Sequence, residues 1–411
     1  MSPEAITEPQ VFLAIALIFA VAAACQVVAP RIGLPALVLL LPAGFLLGMA
    51  ASWTDVRLLL GDSFGPVIDV VVAVILFRGG MDLGRRPIGL GDTRVALRLV
   101  WFGGLATWGA GAIAIWLIVG IPWDIALLLG AILAVSGPTV VGPLLRHARV
   151  TRRVGDTLTW ESLLLDPVGA LAAVIVFQVL RAGTESHVLA GVLTFLEGIG
   201  VAAIGTVAGV AFLWIGLRLA GSNHVVGTTV MLAAVVLGSG IASAMVPNAG
   251  LLTALAMGAV AERISVRVRH DVDAVLPFFD TVEAISIGVL FISLAALVSP
   301  GDLGPVILST LMVVALMVLV VRPLVAFAFT VGGGFSWRER LFMGWMAPRG
   351  IVAAATAASM ATSLARAGAP GADLLLPVAF VVIAGTVFIY GFTGSPAAQL
   401  LGLRSPEEAD S

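Results

Sequence analysis

The chain contains 411 residues, of which 60% are hydrophobic and only 11% are charged. Soluble domains usually carry about a quarter charged residues, so this composition excludes an ordinary soluble enzyme, a disordered chain and a disulfide scaffold. The net charge of −2 gives no strong basic field, and we expect no nucleic-acid partner. A mean hydropathy of +1.12 over the whole length predicts an all-α membrane protein with one integral membrane domain over residues 1–411.

Apolar runs of the length that crosses a membrane, roughly 20 residues, recur along the whole chain. About thirteen such runs can be counted between charged or Pro/Gly-rich breaks. In chain order the predicted spans are about 10–29, 34–50, 64–83, 93–119, 124–146, 154–180, 188–218, 223–246, 248–262, 275–297, 304–330, 338–364 and 371–397.

The 22 basic residues are all arginines, and their distribution predicts the orientation of the chain. Seventeen lie on one side of the predicted membrane and only three, Arg57, Arg181 and Arg366, lie on the other. Because short cytoplasmic loops are enriched in basic residues, we expect the N-terminus outside and the C-terminus in the cytoplasm.

Three spans carry charged or helix-breaking residues near their centres, where an ionisable side chain costs at least about 2.5–3.5 kcal/mol on insertion scales. Span five contains S-G-P-T at 136–139, span six contains W-E-S-L-L-L-D-P at 160–167, and span twelve contains M-A-P-R-G at 346–350. These three segments are therefore the candidates for a functional site.

The segment in span six combines several oxygen ligands. Ser162 and Asp166 lie one helical turn apart and share a face, whereas Glu161 is rotated by about 100° from Ser162. Pro167 lacks an amide hydrogen and leaves the carbonyl of Leu163 without its helical donor. Such oxygens suit a hard monovalent cation; a structural carboxylate paired with an arginine is the alternative for Asp166.

Spans five and twelve are each predicted to be interrupted, at Gly137, Pro138 and Thr139 and at Pro348 and Gly350. A broken membrane helix exposes carbonyls, amides and the partial charges of two half-helix ends. Ordinary kinks would explain either interruption alone. Their matched positions beside buried charges favour a functional site instead.

The two interruptions also suggest an internal repeat. With span seven (188–218) as a linker, spans one to six (10–180) and eight to thirteen (223–397) form two halves, followed by a short cytoplasmic tail at 398–411. Spans five and twelve are then the fifth member of each half, and such pairs are typical of inverted-repeat transporters.

Arg349 at mid-membrane requires an anion, and we expect Glu161 to be its partner in a buried ion pair that orients the site. Asp166 then remains as the freely titrating carboxylate, where protons and a cation compete. Arg322, beside Pro323, is expected to extend toward the cytoplasm rather than to bind a partner.

Three further carboxylates lie inside apolar runs and are candidates for a cytoplasmic funnel: Asp280, Glu283 and Asp69. A carboxylate near a helix end, reached by water, is the alternative for each. The four histidines lie at span ends or loops in no ligand-spaced cluster, so we expect no metal other than a transported monovalent cation, and no cofactor.

Five segments resemble the monovalent cation:proton antiporter superfamily, particularly its bacterial Na+/H+ exchangers. They are A-V-I-L-F-R-G-G-M-D-L (73–83), S-G-P-T-V-V (136–141), W-E-S-L-L-L-D-P (160–167), N-A-G-L-L-T-A-L-A-M-G (248–258) and M-A-P-R-G-I-V-A-A-A (346–355). The resemblance implies about 13 helices in two inverted six-helix repeats with crossed discontinuous helices. It also implies a homodimer in membrane lipid and elevator-type alternating access.

By the same resemblance Asp166 is the alternating cation and proton site, Ser162 and Ser136 are side-chain ligands, and Glu161 and Arg349 form the buried pair. The chain departs from the family pattern at three positions: Leu165 replaces a common Asn, Gly137 a common Asp, and Arg78 a common Glu. With a single central carboxylate left, we expect electroneutral, one-for-one exchange.

The sequence therefore predicts a secondary antiporter, not an enzyme, that exchanges protons for a monovalent cation, with Na+ favoured over Li+ or K+. A K+/H+ antiporter and an organic-anion cotransporter that uses the Arg349 region are alternatives within the same fold. A cation channel is the alternative of another class, but it would need a continuous pore. An intramembrane enzyme would need paired catalytic residues at one depth, which the pattern lacks.

Overall fold

The computed structural model describes residues 8–50, 64–85, 89–182, 188–221, 223–268, 271 and 273–404. Arg57, Arg86, Arg269 and the end of the predicted tail, 405–411, lie outside the described residues. Within them the chain is helical, and we number the thirteen passes α1 to α13 in the order of the chain.

The first six passes are five helices and one interrupted helix. They are α1 (Glu8–Arg31), α2 (Ala36–Ala50), α3 (Phe64–Arg85), α4 (90–119), the half-helices α5a (Trp123–Ala134) and α5b (Pro138–Ala148), and α6 (Arg152–Ala182). Helix α4 contains two π-helical turns, Leu99–Gly103 and Ile115–Val119.

The remaining seven passes include a second interrupted helix. They are α7 (Val188–Ala220), α8 (His224–Met245), α9 (Ala249–Val268), α10 (Leu276–Ala296), α11 (Ile307–Phe329), the half-helices α12a (Trp337–Trp345) and α12b (Ile351–Arg366), and α13 (Leu375–Leu400). A π-helical turn, Met317–Val321, interrupts α11 directly before Arg322.

The thirteen passes coincide with the thirteen predicted apolar runs. In the described part of the chain, eight helices are long and apolar enough to cross a membrane by length and composition. Both predicted interruptions are present, so the prediction of an all-α membrane fold with discontinuous helices is confirmed. The protein is a multi-pass membrane protein.

The helices pack in two groups. Helices α1, α2, α3, α7, α8, α9 and α10 contact one another and form what we call the scaffold group; α4, α5, α6, α11, α12 and α13 form the core group. Within the scaffold group α3 and α9 cross closely, because Gly258 of α9 faces the Phe77 carbonyl of α3 with no side chain between them. Contacts between the groups are fewer, which leaves a seam along α3, α6 and α10.

Candidate functional site

The two interrupted helices cross at their extended segments. Ser136 of the first break and Arg349 of the second form an isolated antiparallel bridge. A Cβ atom on Gly137 would lie 2.5 Å from the Gly350 Cα, and one on Gly350 would lie 2.5 Å from the Gly137 Cα. Two backbones meet at that point, and glycine at both positions is what allows the contact.

Each break ends where the sequence provides a helix start. Pro138 is the first residue of α5b, a position that suits proline because its missing N–H would have no helical partner there. The second break covers Met346 to Gly350 and includes Pro348, and α12b begins at Ile351. The crossing thus places four half-helix ends at one level within the core group.

Asp166 lies in α6 beside this crossing. Gly169, one turn further along α6, faces the side chain of Val135, the first residue of the first break. Asp166 is only 1% exposed, and neither of its carboxylate oxygens has a hydrogen-bond partner among the described residues. A buried carboxylate without a partner is unfavourable in a structural role, so Asp166 is available to bind a ligand.

Ser162 is one turn before Asp166 on the same face of α6 and is 1% exposed. Its hydroxyl donates to the Thr159 carbonyl at 3.0 Å, which leaves the oxygen lone pairs free to accept. Ser136 is also buried, at 5% exposed. Asp166 and Ser162 therefore lie one turn apart on α6, and Ser136 lies in the first break.

Glu161 is paired with Arg322 and not with Arg349. Arg322 Nη1 lies 2.6 Å from Glu161 Oε1 and Arg322 Nη2 lies 2.8 Å from Oε2, in a two-pronged contact. Arg322 Nε also donates to the Met343 carbonyl at 3.1 Å. Both side chains are buried, so the predictions of a Glu161–Arg349 pair and of an Arg322 extended to the membrane surface are wrong.

The π-helical turn Met317–Val321 gives the physical reason for this correction. A π-turn adds a residue to the helix and changes the direction of the side chains that follow it. Arg322 is the first residue after that turn and points into the core group, toward the α6 face that carries Glu161.

Arg349 connects the two broken helices. Its Nη1 donates to the carbonyl of Ala134, the last residue of α5a, at 2.8 Å, and its backbone N–H donates to Thr386 Oγ1 of α13 at 3.3 Å. The carboxyl end of a helix carries a partial negative charge, which a guanidinium offsets. Arg349 therefore stabilises the end of α5a and holds the second break against α13.

Sequence analysis missed Thr386 and Tyr390 in this region and misassigned Arg322. They border, together with Arg349, a small enclosed cavity on the side of the crossing that faces α4 and α11. Thr386 and Tyr390 are one helical turn apart within the apolar run of α13. That spacing of two hydroxyl groups inside a span was the one signal that could have found them.

A wide cavity, which we call the funnel, lies along the seam between the two helix groups and has a volume of about 920 Å³. Its charged lining residues are Arg78, Asp82, Arg146, Arg152, Asp156, Asp280 and Glu283. Asp280 and Glu283 line it on α10. Asp69 is not among the described residues that line it, because it lies near the opposite end of α3; its assignment to the funnel is wrong.

Leu163 is the last residue of α6 that lines the funnel before Asp166. It lines the funnel, is 1% exposed, and its Cδ2 occupies the space that a side chain on Gly79 of α3 would take. Asp166 is three residues deeper on α6, about 4.5 Å along the helix axis. Asp166 itself does not line the funnel, and Leu163 is the funnel residue nearest to it along α6.

Arg78 is held by two aspartates on the funnel wall. Its Nη1 lies 2.6 Å from Asp82 of the same helix, and its Nε donates to Asp280 of α10 at 2.6 Å. These contacts tie α3 to α10 within the scaffold group. Among the described residues, no group of His, Cys, Asp and Glu has the arrangement of a metal site.

Comparison with known proteins agrees with this architecture. The family model of the transmembrane sodium/hydrogen exchanger matches residues 14–400. The K(+)/H(+) antiporter NhaP2 of Shewanella sp. (strain ANA-3) is 29% identical over 409 residues, which cover 96% of this chain and 67% of that protein. The Na(+)/H(+) antiporter 1 of Methanocaldococcus jannaschii is 24% identical over 274 residues, 64% of this chain and 63% of that protein.

A solved structure shares the fold. The sodium proton antiporter MjNhaP1 from Methanocaldococcus jannaschii, determined at pH 8, superposes with a TM-score of 0.79 and covers 96% of this chain and 100% of its own. Its sequence is 19% identical, so the similarity concerns the arrangement of helices.

Proposed function

Because the chain belongs to the transmembrane sodium/hydrogen exchanger family, a family of monovalent cation/proton antiporters, we propose that it exchanges protons for a monovalent cation at Asp166. The observation that carries this proposal is the state of that carboxylate. It is buried beside two crossed, broken helices, and its oxygens have no hydrogen-bond partner among the described residues. Ser162 and Ser136 supply further oxygen ligands.

Competition at one carboxylate couples the two fluxes. Asp166 is neutral when it carries a proton and forms a neutral pair when it binds a cation, so either ligand removes the cost of a bare charge in the membrane. The ionised form of Asp166 with no cation bound has the highest free-energy cost of movement within the membrane. Exchange of one ligand for the other is therefore favoured over movement of the unloaded site.

The fixed charges around Asp166 support one-for-one, electroneutral exchange. Glu161 is neutralised by Arg322, and the guanidinium of Arg349 is bonded to the end of α5a. Asp166 is the remaining carboxylate at this level among the described residues. The site then carries the same net charge with a proton as with a monovalent cation.

Access to Asp166 would alternate between the two sides of the membrane by movement of the core group against the scaffold group. The seam between the groups is already open at the funnel, at the end of α6 where Arg152 lies. By the arginine distribution this end is cytoplasmic, with the N-terminus outside and the protein in the bacterial inner membrane. We place a homodimer contact on the scaffold group, which leaves the core group free to move in the lipid.

Na+ is the cation we favour, and K+ is the second candidate. The relative from Methanocaldococcus jannaschii is named for Na+, whereas the Shewanella relative, which matches over more of this chain, is named for K+. The side chain of Leu163 between the funnel and Asp166 argues against a cation channel, because a channel needs a continuous pore.

A pH-gradient assay in proteoliposomes tests the proposal. The purified chain is reconstituted with a pH-sensitive dye, an acid interior is imposed, and Na+, Li+ or K+ is added in turn. We expect cation-dependent collapse of the gradient, abolished in Asp166→Asn and retained in Asp69→Asn, a matched change outside the site. Equal activity of Asp166→Asn and the unmodified chain would contradict the proposal.

A further inference from the structure

Thr139 has a buried side-chain hydroxyl at the crossing of the broken helices. The residue is 1% exposed, and its Oγ1 has no hydrogen-bond partner among the described residues. That oxygen lies 3.4 Å from the position that a Cβ atom would take on Gly137. A buried hydroxyl without a partner is unfavourable, so its position at the crossing requires a physical reason.

The break itself explains why this hydroxyl is free. A threonine inside a helix usually donates to the carbonyl four residues earlier. Thr157 and Thr159 of α6 do so, at 2.8 and 2.9 Å. Thr139 is the second residue of α5b, and the residue four positions before it, Val135, lies in the extended segment where no helical carbonyl is presented.

The course of α5b and α6 places the turns that carry Thr139 and Asp166 on the same side of the crossing. Helices α5b and α6 are adjacent, are joined by a short connection, and therefore run antiparallel. Their contact is fixed where Gly169 faces Val135. Asp166 along α6 and Thr139 along α5 both lie on the funnel side of that contact.

We propose that Thr139 Oγ1 is a direct ligand of the transported cation, together with the carboxylate of Asp166. This inference rests on the proposed antiport and adds a ligand to its site. The two side chains contribute three buried oxygens without hydrogen-bond partners. Gly137, in the same break, supplies no side-chain oxygen.

A hydroxyl ligand differs from a carboxylate in one important respect. It contributes an oxygen lone pair to the cation but does not take up a proton in the physiological pH range. Thr139 therefore strengthens cation binding without adding a second titrating group, and exchange stays one cation for one proton. Its loss should weaken cation binding and leave proton binding by Asp166 in place.

Direct binding of Na+ and K+ to the purified full chain, measured by isothermal titration calorimetry, tests this role. Thr139→Val removes the hydroxyl at nearly constant volume, and Thr139→Ser retains it. We expect Thr139→Val to weaken binding of the transported cation about tenfold, as expected for loss of one polar contact to a charged group, and Thr139→Ser to stay within about twofold. Thr330→Val is the matched control, because Thr330 is buried and bonded to the Ala326 carbonyl.

Two results would overturn the assignment: unchanged cation binding in Thr139→Val, or equal losses in the Val and Ser variants, which indicate a packing role. If gel filtration shows that Thr139→Val does not fold, Thr139→Ala takes its place in the same comparison. If the unmodified chain binds no cation and collapses no pH gradient, the proposed antiport fails, and this inference fails with it.

Discussion

Arg322 and Glu161, 161 positions apart in the chain, form a two-pronged buried ion pair with N–O distances of 2.6 and 2.8 Å. The pair joins α11 to α6, and Arg322 also bonds the Met343 carbonyl of α12a. Three helices of the core group thus meet at one guanidinium. The pair satisfies the charge of Glu161, whereas the buried oxygens of Asp166 have no hydrogen-bond partner among the described residues.

We predict that breaking this pair destabilises the protein more than removing both charges. Glu161→Gln or Arg322→Gln alone leaves an uncompensated buried charge and should cost about 3–5 kcal/mol of stability, whereas the double variant should recover part of that loss. Thermal unfolding in detergent measures the effect. The control is Arg349→Gln combined with Glu161→Gln; if that combination restores stability instead, Arg349 is the partner of Glu161.

Local signals in the sequence were sufficient to predict the helices, the two breaks and the buried position of Asp166. Two apolar runs are interrupted by the helix-breaking residues Gly137, Pro138, Pro348 and Gly350. A carboxylate in the middle of an apolar run is also easy to recognise. The partner of Glu161 could not be found in this way. It depends on a π-turn in α11 and on a contact between distant helices, neither of which a periodic apolar run such as 304–330 encodes.

The crossing of the breaks should tolerate no side chain. A methyl group on Gly137 or Gly350 would lie 2.5 Å from the opposite Cα, which is backbone and cannot rotate away. We predict that Gly137→Ala and Gly350→Ala each abolish exchange and lower the unfolding temperature. Gly240→Ala in α8 is the control, because a Cβ there meets open space; retained exchange in either crossing variant would argue against the close contact.

Leu163 should control access from the funnel to Asp166. In a Cys25→Ala background, Asp166→Cys reports access through its reaction with a small charged thiosulfonate. We predict slow reaction, and acceleration by at least about tenfold when Leu163→Ala is added, because the apolar cover is removed. Leu34→Ala, on the α1–α2 connection, controls for general loosening; equal reaction rates with and without Leu163 would show that Asp166 is reached by another route.

The acidic residues on α10 should raise the cation concentration at the funnel. Asp280→Asn frees Arg78 from one of its two aspartates, and Glu283→Gln removes a second negative charge, so both variants make the funnel more positive. We predict an increase of about two- to fivefold in the half-saturating cation concentration. The increase should shrink at high ionic strength, because salt screens exposed charges. Asp69→Asn, outside the funnel, should leave it unchanged.

Exchange should not respond to the membrane potential. With Glu161 neutralised by Arg322, the site has one carboxylate to load, and its charge is the same with a proton as with a monovalent cation. We predict that a potassium diffusion potential set with valinomycin leaves the rate of Na+/H+ exchange in proteoliposomes unchanged in either polarity. The effect of a protonophore on the pH gradient confirms in the same vesicles that the dye reports proton flux. A rate that rises with one polarity and falls with the other would mean that a second charge moves with each cycle. Arg349 would then be the candidate for the group that carries this charge.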